Sequence, residues 1–296
     1  MIVGVIGLGE MGSGFVERLL LGKYDVIGWN RTKSKAEPLL AKGMTWGTSP
    51  RDVATRADLV LTIVTNDHAL RAIADGEDGW LGAISGKVIV EMSTVSPDCV
   101  KALAADVAAA GGVLLDGPVL GSQITLREGK LLIMIGGDQG ALARVREPLE
   151  AIGPKVFHVG DVGQAKVMKI ALNLNIATQI MGLSEGLLLA VKSGIPRDTA
   201  LDIMLGGALA SPMLQYRAPL IKAQPEKGWF DVAMMQKDVE LALDLGRDLG
   251  VPLPTTSTSN AWLTAARGQG LTKYDCSILY YALARAAGMD LEIPKA

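Results

Sequence analysis

The chain begins MIVGVIGLGEMGSGFVERLL, residues 1–20. An apolar run leads into Gly7, Gly9 and Gly12 and then into an amphipathic stretch. Inside a helix each glycine costs about 1 kcal/mol against alanine, so the cluster must serve another purpose. G-x-G-x-x-G directly after a strand and opening a helix is the dinucleotide-binding fingerprint. Gly7 permits the tight turn, Gly9 lets a pyrophosphate approach the backbone, and Gly12 lets the helix lie close against the strand. The first-turn N–H groups then face the phosphates. Strand, helix and the next strand pattern, DVIGWN at 25–30, follow at the spacing the motif requires.

The end of that second strand bears on which dinucleotide is bound. A carboxylate there would hold the ribose 2′-OH of NAD. Here the strand ends Trp29-Asn30-Arg31-Thr32, with Lys33 and Lys35 beyond. Arg31 suits pairing with a 2′-phosphate, Thr32 offers a hydroxyl, and the lysines add positive charge. The expectation is NADP in preference to NAD, against the plainer reading of a solvated basic helix start.

Working outward, the first half alternates β-rich runs with helical patterns. Strands are expected at 2–7, 25–30, 59–64, 87–92, 112–117, 131–136 and 155–160, and helices at 11–21, 33–41, 97–110 and 141–151. This alternation implies an α/β, doubly wound, largely parallel sheet of Rossmann type. After Gly163 the strand signals stop. Helical stretches follow at 164–193, 197–206, 214–223, 231–249, 257–268 and 274–287, punctuated by Gly194 and Pro196, Gly250 and Pro252, and Gly288. The expected organisation is an NADP-binding domain at 1–162, a long interdomain helix at 163–193 and an all-α substrate and dimerisation domain at 194–296. The helix would run roughly 45 Å. A small-molecule site is expected in the crevice between the domains.

Composition narrows the function. Of 296 residues 49% are hydrophobic, which argues against disorder, and the net charge of −2 gives no basic excess for nucleic acid or an anionic membrane. Cys99 and Cys276 form no C-x-x-C, which fits a reducing compartment, and no signal peptide is evident; a cytoplasmic protein is expected. The stretch 170–191 is apolar enough to suggest a membrane span. It carries Asn173, Asn175, Gln179, Ser184 and Glu185, and so reads as a buried helix of a soluble protein. Two histidines, His68 and His158, are too few for most zinc sites, and no metal is expected. Both read as structural or surface groups.

Carbonyl reduction needs an acid to protonate the forming alkoxide. With histidine scarce, lysine and tyrosine are the candidates. The long helix begins GQAKVMKIALNLN, where Lys169 and Asn173 are i, i+4 and share a face, with Lys166 on nearly the same stripe. A desolvated lysine there would have its pKa lowered from about 10.4 toward 7–8, suiting proton transfer. Spacing alone does not choose between Lys166 and Lys169, nor exclude two solvated lysines at a helix entrance.

The whole chain resembles the β-hydroxyacid dehydrogenase family, which includes 3-hydroxyisobutyrate dehydrogenase and the glyoxylate/succinic semialdehyde reductases. The matching pieces are VIGLGEMG at 5–12, WNRT at 29–32, MSTV at 92–95, DGPV at 116–119, GDVGQAKVMK at 160–169 with Asn173, SPM at 211–213 and MQKD at 235–238. SPM and MQKD look closest to the semialdehyde reductase branch. The resemblance implies reversible hydride transfer between a nicotinamide cofactor and a small carboxylate-bearing aldehyde or hydroxy acid, in a homodimer or homotetramer. It places the catalytic lysine at Lys169 and the substrate-orienting asparagine at Asn173, leaving Lys166 as a helix-surface residue. The implied cofactor contacts are Gly7, Leu8, Gly9, Glu10, Met11, Gly12, Asn30, Arg31, Thr32, Val64, Thr65, Asn66, Thr94 and Lys237. Thr94, Leu120, Gly121, Ser122, Lys169, Asn173, Phe230 and Asp238 form the implied substrate set.

One departure stands out. The family's substrate loop commonly places a hydroxyl where this chain has Leu120, in DGPVLGS at 116–122. Backbone N–H groups near Gly121 and the Ser122 hydroxyl remain as candidate anion holders. A leucine beside a carboxylate is unfavourable, because a charge taken from water without partners is costly. Either Leu120 points away or the substrate is bulkier or less charged than glyoxylate. Two alternatives remain, imine reduction and a non-catalytic NADP-binding scaffold, and Lys169 with Asn173 argues against both.

Overall fold

The computed structural model describes residues 1–226 and 228–295. The chain divides into two compact units, Met1–Lys169 and Ile170–Ala296.

The first unit holds the strands β1 (Ile2–Ile6), β2 (Asp25–Trp29), β3 (Thr45–Trp46), β4 (Leu59–Thr62), β5 (Val88–Glu91), β6 (Val113–Asp116), β7 (Val119–Leu120), β8 (Leu132–Gly136) and β9 (Lys155–Gly160). They form one sheet in the order β3-β2-β1-β4-β5-β6-β8-β7, with β9 also on β8. From β3 to β6 the pairing is parallel; β8 runs antiparallel to β6 and β7 and parallel to β9. The chain moves outward from β1 to β3 and then returns to place β4 on the other side of β1. In open parallel sheets that reversal point is where ligands bind, beyond the carboxyl ends of the strands. Gly7 and Ile63 are the first residues beyond the two strands that flank it, β1 and β4.

Helices α1 (Glu10–Leu21), α2 (Glu37–Leu40), α3 (Pro50–Arg56), α4 (Asp67–Ala74), α5 (Pro97–Ala109), α6 (Gln123–Arg127) and α7 (Gln139–Ile152) cover the sheet. The side-chain alternation of strands sorts the core into two layers. Leu59 and Leu61 of β4 with Val88 and Val90 of β5 join Phe15, Val16 and Leu19 of α1 on one face. Val60 and Ile89 join Val53, Leu70, Trp80, Val100 and Leu103 on the other. Strands covered on both faces explain the nearly continuous apolar run at 59–64.

Short elements escape the sequence pattern. The two-residue strands β3 and β7 are too brief for any periodicity, and α3, α4 and α6 offer mainly their caps: Ser49, Asn66 and Ser122 each accept a first-turn N–H. The single helix expected at 33–41 is instead a 3-10 turn at Lys33–Ala36 followed by α2, because Pro38 sits at the start of α2.

A long helix, α8 (Gln164–Lys192), crosses the unit boundary. The second unit adds α9 (Arg197–Gly206), α10 (Pro212–Arg217), α11 (Val232–Leu249), α12 (Pro254–Gly268) and α13 (Leu279–Ala286). Ile180, Leu187, Val232, Met235, Val239, Tyr280 and Tyr281 are part of its core. Contrary to the expectation of a buried helix, only 33% of the most apolar eighteen-residue stretch of α8 is buried. Asn175, Glu185 and Leu189 are exposed, so α8 gives one face to its core. A buried ion pair, Arg217 Nη1 to Asp275 Oδ2 at 2.5 Å, braces this unit. Asp275 also accepts the N–H groups of Phe230 and Ser277, at 3.1 Å each.

Candidate active site

The glycine turn is built as its spacing implies. Gly7 has φ +103°, and its N–H donates to Trp29 O at 2.9 Å. A Cβ at Gly7 would collide with the Ile63 carbonyl, and one at Gly12 with the Gly7 carbonyl. At Gly9 a Cβ would meet nothing within 4 Å. Gly9 is also the N-cap of α1 and supplies no side-chain cap. An open, side-chain-free approach to an uncapped helix end fits a dinucleotide pyrophosphate. Leu8 is buried, Met11 half-buried against the core and Glu10 exposed.

Asn30 is a brace rather than a free ligand: its Oδ1 accepts Leu8 N–H at 3.0 Å and its Nδ2 donates to Thr32 O at 2.9 Å. Arg31, Thr32, Lys33 and Lys35 are exposed around the end of β2. The Lys33 ammonium lies 5.8 Å from the Trp46 ring centroid, a cation–π distance.

At the ends of β4, β5 and β6 the polar groups interlock. Val64 N–H donates to Ser93 Oγ at 2.8 Å, and Ser93 N–H donates to Glu91 Oε1 at 2.8 Å. Thr65 and Asn66 are exposed, Asn66 capping α4 through Ala69 N–H at 2.9 Å, and Thr94 is half-buried. The expectation that Lys166 is a helix-surface residue is wrong: it is fully buried. Its Nζ donates to Glu91 O at 2.7 Å and Ser93 O at 2.8 Å and pairs with Glu91 Oε2 at 2.5 Å. Its backbone N–H donates to Asp116 Oδ2 at 3.0 Å. The physical reason is the turn at Gly163, φ +97°, together with a carboxylate on β5 that compensates the buried charge. Burial pushes the Asp116 carboxyl above the usual range, with the Lys166 ammonium and backbone N–H groups opposing it.

Two carbonyls accept from Lys166 Nζ and the Glu91 carboxylate lies against it, so this ammonium is enclosed inside the fold. Lys169, one turn later, is half-buried. The geometry thus separates the two lysines that spacing left equivalent.

The substrate loop is tied up more than expected. Leu120 is half-buried and in register with Leu132 on β8. Gly121 has φ +143°, and a Cβ there would collide with Thr125 Oγ1. Ser122 N–H, a candidate anion holder, donates instead to Thr125 Oγ1 at 2.7 Å, and Ser122 Oγ accepts Thr125 N–H. This capping box of α6 consumes the Ser122 N–H.

Within the second unit, buried Asn173 donates through Nδ2 to buried Asp238 Oδ2 at 2.5 Å. Asp238 Oδ1 pairs with Lys237 Nζ at 2.9 Å. Asn173 therefore keeps its second amide N–H and its Oδ1 acceptor for other work, and Oδ1 is buried with no partner among the described residues. Phe230 is half-buried and packs against the core; its N–H donates to Asp275 Oδ2 and its carbonyl accepts Cys276 N–H. Ser211 caps α10 and bonds Gln179 Oε1 at 2.6 Å.

The sequence reading missed Glu91 and Asp116 as members of this polar cluster. Each is the last residue of an otherwise apolar strand, in KVIVEM and GVLLDG, and a carboxylate ending such a run was the available signal.

Comparisons with known proteins agree with this architecture. The model of the NAD binding domain of 6-phosphogluconate dehydrogenase matches residues 2–160. That of the NAD-binding domain of NADP-dependent 3-hydroxyisobutyrate dehydrogenase matches residues 163–292. Glyoxylate/succinic semialdehyde reductase 1 of Arabidopsis thaliana is 32% identical over 284 residues, covering 96% of this chain and 98% of the relative. The cytokine-like nuclear factor N-PAC of Homo sapiens is 34% identical over 281 residues, covering 95% of this chain and 51% of that protein. A crystal structure of 3-hydroxyisobutyrate dehydrogenase from Salmonella typhimurium matches with a TM-score of 0.87 at 27% identity, covering 95% of this chain and 99% of that one. With its nicotinamide-dinucleotide domain built on Gly7, Gly9 and Gly12, the chain belongs to the β-hydroxyacid dehydrogenase family.

Proposed function

We propose that this protein is an NADP-dependent reductase of a small carboxylate-bearing aldehyde or keto acid, running in reverse as a hydroxyacid dehydrogenase, with Lys169 as general acid and base. The observation that carries the assignment is the contrast on α8: Lys166 is enclosed by three oxygens, whereas Lys169 is half-buried at the next turn. A bound nicotinamide supplies or accepts the hydride. Gly9 and the uncapped start of α1 receive the pyrophosphate, and Arg31, exposed beyond β2, pairs with the 2′-phosphate. Lys169 donates a proton to the forming alkoxide in reduction and recovers it in oxidation. Asn173, its amide nitrogen held by Asp238, orients the substrate hydroxyl through Oδ1. Leu120, where a hydroxyl is common in the family, favours a chain longer than glyoxylate, such as succinic semialdehyde.

NADPH and NADH oxidation with succinic semialdehyde, glyoxylate and a cyclic imine tests this. The semialdehyde should be turned over, with NADPH preferred. Lys169→Ala should lower kcat by about 10²–10⁴-fold, the range of general acid catalysis, with NADPH Kd unchanged. Arg31→Asp should move the NADPH/NADH ratio of kcat/KM toward NADH by roughly tenfold or more, the loss of about one charge-assisted contact. Normal turnover in Lys169→Ala refutes the lysine's role, and an unmoved cofactor ratio in Arg31→Asp refutes the 2′-phosphate contact. NADPH binding without turnover of any substrate would favour a scaffold.

A further inference from the structure

Lys166 is the largest fully buried charged side chain of the first unit, and the reaction above does not use it. It is fully buried, as is its partner Glu91. A buried ion pair is weak support for stability, since removing both ions from water costs several kcal/mol per ion and an apolar pair of similar volume often serves as well or better. Its placement is more telling. Four pieces of backbone meet at this ammonium. Glu91 O accepts Gly117 N–H and Lys166 Nζ, both at 2.7 Å, joining β5, β6 and α8. Each polar atom of Ser93 has a partner: O accepts Lys166 Nζ, N–H donates to Glu91 Oε1, and Oγ accepts Val64 N–H beyond β4. The next residue is Thr94. On the helix side, Lys166 is further pinned through its own N–H to Asp116.

We propose that Lys166 is a positioning residue: held between Glu91 and Ser93, its ammonium fixes the turn bearing Thr94 to the first turn of α8, and so fixes Thr94 with respect to the backbone of Lys169. The proposal rests on the reductase reading for its consequence in catalysis. Ser93, bonded on every polar atom, has no slack to pass on to Thr94. Without the ammonium, two carbonyls and a carboxylate lose their common partner and the turn is free to shift. A misplacement of about 1 Å costs about 10²-fold in rate.

Single loss of Lys166 would strand the Glu91 carboxylate and threaten folding, so the test uses the apolar double variant Glu91→Met with Lys166→Met. A second double variant, Glu91→Gln with Lys166→Gln, keeps a neutral polar pair. Each is measured for melting temperature, NADPH Kd, kcat with succinic semialdehyde, the deuterium isotope effect on kcat with NADPH labelled at nicotinamide C4, and NMR order of the Thr94 methyl group. In variants that melt as wild type does, kcat should fall by about 30- to 100-fold and NADPH Kd should hold within about threefold. The isotope effect should rise as hydride transfer becomes limiting, and the Thr94 methyl should lose order. Wild-type kcat, or an unaltered Thr94 methyl, in a folded double variant overturns the proposal. Absence of turnover by the wild-type protein would sink the reductase reading alone, and the Thr94 methyl would still decide the role of Lys166.

Discussion

Gly7 and Gly9 stand two residues apart and answer different demands. Gly7 adopts φ +103° against the Ile63 carbonyl, a conformation and a space closed to any side chain. Gly9 adopts an ordinary extended conformation, and its missing Cβ faces open space. The fold therefore needs Gly7, whereas its packing would leave room for a side chain at Gly9. Gly9→Ala should melt within about 2 °C of wild type, as expected for an unstrained surface change, yet bind NADPH at least about tenfold more weakly by fluorescence titration. Gly7→Ala should lower the melting temperature sharply, because it adds about 1–3 kcal/mol of backbone strain. Equal affinity in wild type and Gly9→Ala would remove the pyrophosphate from this position. The two cysteines show how far environment sets reactivity: burial, with the nearby Asp67 carboxylate, pushes the Cys99 thiol up to about 11, and burial raises Cys276 further. Neither is a candidate nucleophile.

Among the elements, α8 draws its N-terminal support from another part of the chain. Residues 161–163 contain Asp161, whose N–H bonds the Gln164 side chain, but the N–H of Lys166 is satisfied by Asp116, fifty residues earlier at the end of β6. Burial raises the Asp116 carboxyl pKa above its unfolded value, so the folded state holds that proton more tightly than the unfolded chain. Its contribution to stability is complete below the unfolded pKa of about 3.9 and is lost as pH rises through the folded value. Asparagine keeps one acceptor for Lys166 N–H and does not titrate. The melting temperature of Asp116→Asn minus that of wild type should therefore become more positive between about pH 4.5 and about pH 7.5. A difference that stays constant or falls would mean that the charged carboxylate is favoured in the fold.

For the molecule as a whole, long-period patterns were legible and short or distant ones were not. Alternation of β-rich and helical segments up to Gly163, then helices alone, is written in stretches of four to thirty residues, long enough for period and punctuation to speak. The glycine turn is legible because φ and close approach are properties of one residue and its neighbours. Strands of two residues, β3 and β7, carry no period, and α6 is recognisable only once Ser122 and Thr125 are seen bonded to each other. Lys166 and Lys169 look alike as sequence, three residues apart on one helix. What separates them is Glu91, seventy-five residues from Lys166, and the carbonyl of Ser93. One amide N–H of Asn173 is likewise engaged by Asp238, sixty-five residues away, and Arg217 is matched by Asp275. The chain's local chemistry specifies which segments become strand, turn or helix, because backbone preference and side-chain period act over a few residues. Which charge is buried, which amide N–H is engaged and which lysine is enclosed depend on partners delivered by the sheet order and the helix packing, since the free energy of a polar group is set by whatever surrounds it in space.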